Sequence, residues 1–387
     1  MTTSTAAAPR ATEREAEGPE GFSALLDGFR SKLDRELASW LGAKRAAAAG
    51  EAGRASEVPE ILDLIDGVEE LMTHGGKRLR PALVYYTYRA CGGTSDGAVL
   101  PLALATEFLH TYLLIHDDIM DHAEVRRGQP SAHARFREAH RSHGWRGDAG
   151  DFGASAAILE GDLAHTWAVE LFGGVLVEGE RAAELRRCFS DMCQEVIGGQ
   201  YLELLVALRR ATEQQAGEDE LLRVLRLKSG RYTCERPIQL GGILAGADAA
   251  TLAALSRYGG AVGEAFQLQD DLLGMFGDEE AVGKPVGADL KEGKFTFLVY
   301  HALRAASPEE RRTLQTALGD PHLEREEVAR VQRILEGTGA VARMTGMIEE
   351  RLAIARSALA GLDGDRLADG GRTFFAGLLG YLRERKQ

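Results

Sequence analysis

From Phe22 onward, apolar residues recur at steps of three and four: Leu25, Leu26, Phe29, Leu33, Leu37 and Leu41 line one side of a helix. Residues 43–54, AKRAAAAGEAGR, read either as the tail of that helix running into a linker or as a solvated alanine helix. After Pro59 the helical spacing resumes and hardly stops. Ile61, Leu64, Ile65, Val68 and Leu71 form one face. Leu83 to Tyr88, Leu100 to Ile115, Ala156 to Phe172 and Leu185 to Leu208 follow, then Leu221 to Leu227, Leu252 to Phe276, Thr296 to Leu303 and Met344 to Leu362. Breaks are expected at the glycine pairs 75–76, 92–93, 173–174 and 241–242. Alternating strands with hairpin turns are absent, and no repeat with a period of roughly 20–50 residues is evident. Only 10 prolines occur in 387 residues, which suits long helices, because an interior proline costs about 3 kcal/mol. The pattern predicts an all-α chain: one domain of ten or more helices over residues 21–387, behind a small, polar, disordered segment at 1–20.

Composition narrows the classes. Asp and Glu number 59 against 46 Lys and Arg, a net charge of −13, so general nucleic-acid binding is not expected. An apolar fraction of 44% excludes general disorder. The longest run without Asp, Glu, Lys or Arg is Pro237 to Ala247, shorter than the ~20 apolar residues of a spanning helix, so no membrane span is expected. Cys91, Cys188, Cys193 and Cys234 form no C-x-x-C pair and read as reduced thiols. The first residues lack an apolar core and carry Glu13, Glu15, Glu17 and Glu20, unlike a signal or transit peptide. A cytoplasmic location is the resulting expectation.

Two acidic clusters carry the chemistry. In HTYLLIHDDIMD (110–121), Asp117, Asp118 and Asp121 share one helix face, and apolar residues precede them. Bare carboxylates there repel, and a hard divalent cation resolves the repulsion. Oxygen-only ligands suit Mg²⁺ rather than zinc. The bland alternative is a solvated acidic helix end. A second cluster, Asp270-Asp271, again ends an apolar helix, and surface solvation explains two such ends poorly. A substrate rich in negative oxygens, such as a diphosphate, fits metal held this way. Cations stand nearby in sequence: Lys77, Arg78 and Arg80; Arg126 and Arg127; Lys228 and Arg231; Lys284 and Lys294. Arginine gives bidentate phosphate contacts and lysine a point charge. Each alone could be an ordinary ion-pair partner.

Taken together, GGKRLRP (75–81), HTYLLIHDDIMDHAEVRRGQP (110–130), GD (161–162), GQYLEL (199–204), KSGRY (228–232), FQLQDDLLGMFGD (266–278) and GKPVGADLKEGKFT (283–296) resemble the trans-prenyltransferases, the polyprenyl diphosphate synthases. The resemblance covers roughly residues 55–365 and is nearest to a geranylgeranyl diphosphate synthase. It implies a helical bundle around a central cavity, of the isoprenoid synthase kind. It also implies a homodimer with Mg²⁺ as cofactor, three ions per active site, and Mn²⁺ able to substitute. Asp117, Asp118 and Asp121 match the first metal motif, and Asp270 and Asp271 the second. Lys77, Arg80, His110 and Arg127 match positions that hold isopentenyl diphosphate. Arg126, Lys228, Gln267, Lys284 and Lys294 match those that contact the allylic diphosphate. Ser229 stands where the family usually has Thr and keeps the hydroxyl that faces the developing cation. Of these, Asp117, Asp118, Asp121, Asp270, Lys228 and Ser229 are the expected catalytic residues.

One departure stands out. The family's second motif reads DDxxD, whereas residue 274 is Gly. Asp278, two helical turns past Asp271, is the sequence's nearest substitute, acting through water. Product length follows, in this family, from side chains below the first motif. A single aromatic at Tyr112 followed by Leu113 implies a C20 product, with farnesyl or longer diphosphates as alternatives. Readings of other classes are a terpene cyclase, a phosphohydrolase suggested by His116-Asp117, and a non-catalytic subunit of a heteromeric synthase, favoured only by Gly274.

Overall fold

A computed structural model of the chain describes residues 19–50, 58–209, 216–278, 285–362 and 366–384. Residues 1–18, which hold nearly all of the segment expected to be disordered, and residues 51–57, which include the end of the stretch 43–54 read as a helix tail running into a linker, lie outside them. The described residues are helical almost throughout, as the hydrophobic spacing requires, and they group into two compact units.

The N-terminal unit comprises Leu26–Tyr85 and Thr94–Glu178. It contains most of α1 (Pro19–Ala49), α2 (Ile61–Thr73), the start of α3 (Leu79–Ala90), α4 (Asp96–Met120), α5 (Ala132–Ser142) and α6 (Ala149–Gly173). Ser95 caps α4 by accepting the Ala98 N–H. Among the described residues, α4 is the one helix long and apolar enough to cross a membrane, and 67% of that window is buried inside the protein. It is the core helix of its unit. Trp40, Phe108 and Trp167 meet across α1, α4 and α6, with ring centroids 4.9–5.6 Å apart. The GD of residues 161–162 has a packing reason: a side chain at Gly161 would run into the His116 ring, so glycine lets α6 close on α4. A two-stranded hairpin, β1 (Val125–Arg126) and β2 (Gln129–Pro130), follows α4. Arg127 at φ +52° and Gly128 at φ +76° make its left-handed turn.

The C-terminal unit comprises Gly179–Gln387, Tyr86–Gly93 and the chain up to Leu25. It holds α7 (Gly179–Arg209), α8 (Glu218–Val224), a π-helical segment (Leu225–Glu235), α9 (Arg236–Ala245) and α10 (Ala249–Phe276). Then come α11 (Ala288–Lys291), α12 (Phe297–Ala305), α13 (Pro308–Ala317), α14 (Arg325–Gly337), α15 (Ala340–Ala360) and α16 (Asp369–Glu384). The expected break at Gly241-Gly242 does not occur. Helix α9 runs through both residues and ends at Gly246, φ +78°. A Cβ on Gly242 would lie 2.7 Å from Leu252 Cδ2, so this glycine serves close helix packing. The π-helical segment was not expected. It packs where α7 and α10 present Gly199 and Gly263, since a side chain at either would meet the backbone of Lys228 or Gly230. The end of the chain is docked: Tyr258 Oη donates to Phe375 O at 2.7 Å, and Gln269 donates to Leu382 O. The four cysteines are free thiols, and burial pushes Cys91 and Cys193 up to about 11 and Cys188 up to about 12, so these three resist ionisation.

Candidate active site

Each unit gathers part of the expected constellation. In the N-terminal unit, Asp117 and Asp118 occupy the last turn of α4, and Asp121 caps it, its N–H donating to Asp117 O at 2.8 Å. A helix C-terminus carries negative partial charge, so carboxylates placed there call for cations. The hairpin supplies one. Arg126 returns over the helix end and donates Nε to Asp118 Oδ1 at 2.8 Å, with Nη2 on the same oxygen. Asp118 is 1% exposed, while Asp117 and Asp121 are half-buried.

Beside this pair lies an arginine-rich cluster around His110. Desolvation holds His110 well below the ordinary histidine range, and Arg80, Arg127, Arg126 and Arg78 push it the same way. His110 is therefore neutral at pH 7. Arg127 is itself held below its usual value by burial and by crowding from Arg78, Arg126 and Arg80, against the opposing pull of Glu107. Its guanidinium donates to Leu71 O at 2.8 Å and passes over Gly76, where a Cβ would lie 2.9 Å away. The glycine pair thus clears the path of this arginine. Lys77 is exposed on the same loop.

Arg78, which the sequence grouped with Lys77 and Arg80 as a candidate cation for phosphate, is the structural member of this basic run. It is 3% exposed and donates Nη1 to Glu107 at 2.6 Å and Nε to Asp34 at 3.2 Å, and it reaches Met72 O. A cleft runs from Asp118 and Arg126 past His74 and Ser131 to Arg135 and Glu160. Glu160 pairs with Arg135, yet burial outweighs that pull and raises the carboxyl to about 7. Tyr112 and Leu113 are half-buried on α4, and the Tyr112 ring stands 4.7 Å from His116 and 4.9 Å from His165.

The C-terminal unit holds the remaining residues. Lys228 and Ser229 lie in the π-helical segment, an irregularity that often marks functional positions. Lys228 pairs with Glu203 of α7, and Ser229 is buried. The GQYLEL stretch thereby gains a reading: Gly199 admits the π-helical backbone and Glu203 holds the lysine. At the end of α10, Gln267 Nε2 donates to Asp271 Oδ1 at 2.8 Å. Desolvation raises Asp271 to about 8, and Asp289, Asp270 and Glu203 add to the rise. Lys294 Nζ lies 2.6 Å from Glu292 and 3.7 Å from Asp289. Lys284 lies outside the described residues. Asp278 does not continue the face of Asp271, because α10 ends at Phe276 and Gly277 is extended; Asp278 is exposed beyond it. Sequence reasoning missed Glu203 and Asp289, although both lie inside motifs it quoted.

Among the described residues, no three His, Cys, Asp or Glu side chains form a ready metal cage. That excludes a structural zinc arrangement within them. Mg²⁺ held by these carboxylates would have to draw its other oxygens from water and substrate phosphate, since it keeps several waters and takes one or two carboxylates.

The sequence profile of the polyprenyl synthetase family matches residues 63–336. The chain is 34% identical over 268 residues to a short chain isoprenyl diphosphate synthase of Methanocaldococcus jannaschii, covering 69% of this chain and 75% of that one. It is 36% identical over 232 residues to a geranylgeranyl diphosphate synthase of Methanosarcina mazei, covering 60% and 65%. A geranylgeranyl pyrophosphate synthase of Corynebacterium glutamicum, solved with isoprenyl diphosphate and magnesium, aligns with a TM-score of 0.79 at 32% identity. That alignment covers 95% of this chain and 98% of the other.

Proposed function

Because this chain belongs to the polyprenyl synthetase family, we propose that it joins isopentenyl diphosphate head to tail to an allylic diphosphate (dimethylallyl, geranyl or farnesyl), with geranylgeranyl diphosphate as its main product. The observation that carries this reading is the clustering of Arg80, Arg126 and Arg127 around a neutral His110, one turn and more before the acidic end of α4. A cluster of cations next to a cluster of carboxylates suits a substrate that arrives as a diphosphate with metal.

In this reading Lys77, Arg80, His110 and Arg127 hold isopentenyl diphosphate. His110, being neutral, contributes hydrogen bonding rather than charge. Asp117, Asp118, Asp121, Asp270 and Asp271 would hold Mg²⁺, three ions in all, or Mn²⁺ in its place. When bound, the metal supplies neutralisation of the leaving diphosphate. Arg126, Lys228, Gln267, Lys284 and Lys294 orient the allylic diphosphate. Lys228 is kept in place by Glu203 and Lys294 by Glu292, so these cations are positioned before substrate binds. The Ser229 hydroxyl faces the allylic cation as its C–O bond breaks. The isopentenyl double bond attacks that cation, and the departing diphosphate takes the proton, so no side-chain base is needed.

Tyr112 sets the floor for the growing chain, supported by its ring contacts to His116 and His165. Tyr112→Ala is expected to lengthen the product beyond C20, judged by chromatography after dephosphorylation; unchanged length refutes the floor. The same proposal makes the protein a cytoplasmic homodimer that binds no nucleic acid. Apolar residues exposed on α6 (Ile158, Leu159, Val169) and on α7 (Ile197, Tyr201, Leu204) support self-association.

The test uses the purified chain alone with Mg²⁺, isopentenyl diphosphate and each allylic primer. A C20 diphosphate that vanishes with chelator supports the reading. No product without a second polypeptide favours the non-catalytic subunit, and a hydrocarbon from geranylgeranyl diphosphate alone favours a cyclase.

A further inference from the structure

One carboxylate on α7 holds two arginines that bracket the end of the π-helical segment. Asp191, Glu195, Gly199 and Glu203 stand four residues apart and form a stripe along α7. That stripe faces the segment. Glu203 pairs with Lys228, Gly199 admits the backbone at Lys228, and Asp191 Oδ2 lies 3.6 Å from Arg236. Between them, Glu195 Oε1 accepts from Arg231 Nη1 at 2.6 Å and from Arg236 Nη2 at 2.7 Å, while its Oε2 accepts from Arg236 Nε at 2.8 Å. The same two residues are joined through the backbone. The Arg236 N–H donates to Arg231 O, five residues back, the hydrogen bond that defines a π turn. On an α-helix, residues five apart project about 140° from each other. In the π turn they come to one side, where a single carboxylate reaches both. Glu195 thus binds the side chains at the two ends of a π hydrogen bond. The glycines of α7 and α10 make room for the segment, and this clamp selects its register. Burial opposes the charge on Glu195, but Arg236 and Arg231 outweigh it and hold the carboxyl below its usual range, so it is ionised at pH 7. Beyond the clamp, Gln239 of α9 accepts from Arg236 Nη1 at 2.8 Å and donates to Ser256 Oγ of α10 at 2.7 Å. Ser256 in turn donates to Glu235 Oε1 at 2.6 Å. The end of the segment is therefore tied to α7, α9 and α10.

Lys228 and Ser229 come three and two residues before Arg231. A slip from five-residue to four-residue pairing would turn both away from their present direction. We propose that Glu195 is a positioning residue for the allylic site: by holding Arg231 and Arg236 together it keeps the segment in its π register, and so keeps Lys228 and Ser229 directed at the allylic diphosphate. This rests on the reading of Lys228 as a residue that contacts that diphosphate. Glu195 itself touches neither substrate.

The test uses the full chain with Mg²⁺ and two ligands, a non-reactive thiolo analogue of farnesyl diphosphate and isopentenyl diphosphate, each measured by calorimetry, with thermal melting beside them. Glu195→Gln keeps the shape of the side chain and removes its charge. It should weaken the analogue about tenfold or more and leave isopentenyl diphosphate within about twofold, because a misdirected group costs affinity only for the ligand it meets. Arg231→Gln changes a side chain that is 41% exposed, opens one half of the clamp at little cost to folding, and should weaken the analogue about threefold. Glu220→Gln breaks an ion pair of α8 with Arg209 at the end of α7, 2.8 Å long, and should leave both ligands unchanged. In the double variant Glu195→Gln/Lys228→Met, the loss should fall well short of the product of the two single losses, since one acts through the other. Equal weakening of both ligands by Glu195→Gln shows a merely structural role and overturns the proposal. Analogue binding unchanged in both Glu195→Gln and Arg231→Gln overturns it as well. Lys228→Met separates the two levels: if it leaves the analogue's affinity unchanged, the reading of Lys228 itself fails, whatever Glu195 does.

Discussion

The two units meet the same electrostatic problem with opposite signs. In the N-terminal unit, Arg78, Arg80, Arg126 and Arg127 crowd His110, with Glu107 and Asp34 paired to Arg78 and Asp118 to Arg126. In the C-terminal unit, Asp270, Asp271, Asp289 and Glu203 crowd one another, while the nearby lysines are shared with glutamates. One region is rich in cations around His110, beside the carboxylates Asp117, Asp118 and Asp121, and the other is rich in carboxylates around Asp271. The first offers a diphosphate direct cations as well as carboxylates, and the second takes a diphosphate chiefly through divalent metal. A net charge of −13 is thus no obstacle to phosphate binding, since the acidic part of the binding machinery works through metal.

The largest expected effect separates structural from substrate-facing arginines in the first region. Arg78→Met strands the Glu107 carboxylate, which is buried, and should cost about 3–5 kcal/mol of stability by thermal or denaturant unfolding. Arg127→Met removes a crowded cation and should melt close to wild type, while its KM for isopentenyl diphosphate rises about tenfold, or ~1.4 kcal/mol. Equal losses of stability would erase the distinction. In the second region, Asp270→Ala should lower turnover about 100-fold, close to 2.7 kcal/mol, in steady-state assays. Asp278→Ala, a change at an exposed position beyond α10, should stay within about twofold. Near-equal losses would overturn the assignment of the second cluster.

A smaller effect comes from Asp271. Folding raises its carboxyl from 3.8 to about 8, so between those values the folded chain keeps a proton that the unfolded chain has lost. The contribution to stability is fully present below about pH 4 and is lost as pH rises through about 8, by at most ~1.4 kcal/mol per pH unit. Mg²⁺ competes with that proton. Its affinity should therefore rise with pH by up to about tenfold per unit and level off above pH 8, with proton release visible by calorimetry in buffers of different ionisation enthalpy. Asp271→Asn should flatten this dependence; a flat profile in the wild type would show that the crowding is not resolved by metal.

Much of the fold was legible because burial writes a period into the chain. The cores of α4, α6 and α10 follow the apolar spacing of Leu100 to Ile115, Ala156 to Phe172 and Leu252 to Phe276. Helix α13 carries too few apolar residues for that spacing to show, whereas α14 shows it in Val328, Val331, Ile334 and Leu335 and was passed over; the capping boxes, Ser307 with Glu310 and Glu324 with Glu327, mark where the two begin. The π-helical segment left no trace in periodicity, because its cause lies in the glycines of the neighbouring helices. Gly241-Gly242 was misread because glycine that ends a helix and glycine that admits a neighbour are the same letter. In the site, the residue types in the acidic and basic clusters were visible, but their division of labour was not. Arg78 and Arg80 stand two residues apart, and only burial against Glu107 makes the first a structural tie. Asp289 escaped notice because only folding brings it beside Asp271, 18 residues earlier in the chain.

The contrast between the two regions is tested most directly by calorimetric binding of two ligands, each with Mg²⁺ and with chelator. Isopentenyl diphosphate should bind with an affinity that chelator changes by no more than a few-fold, and Arg127→Met should weaken it under both conditions. A non-reactive thiolo analogue of farnesyl diphosphate should bind at least about 100-fold more weakly without metal, a difference of ~2.7 kcal/mol. Equal dependence on metal for both ligands, or for neither, would contradict the account.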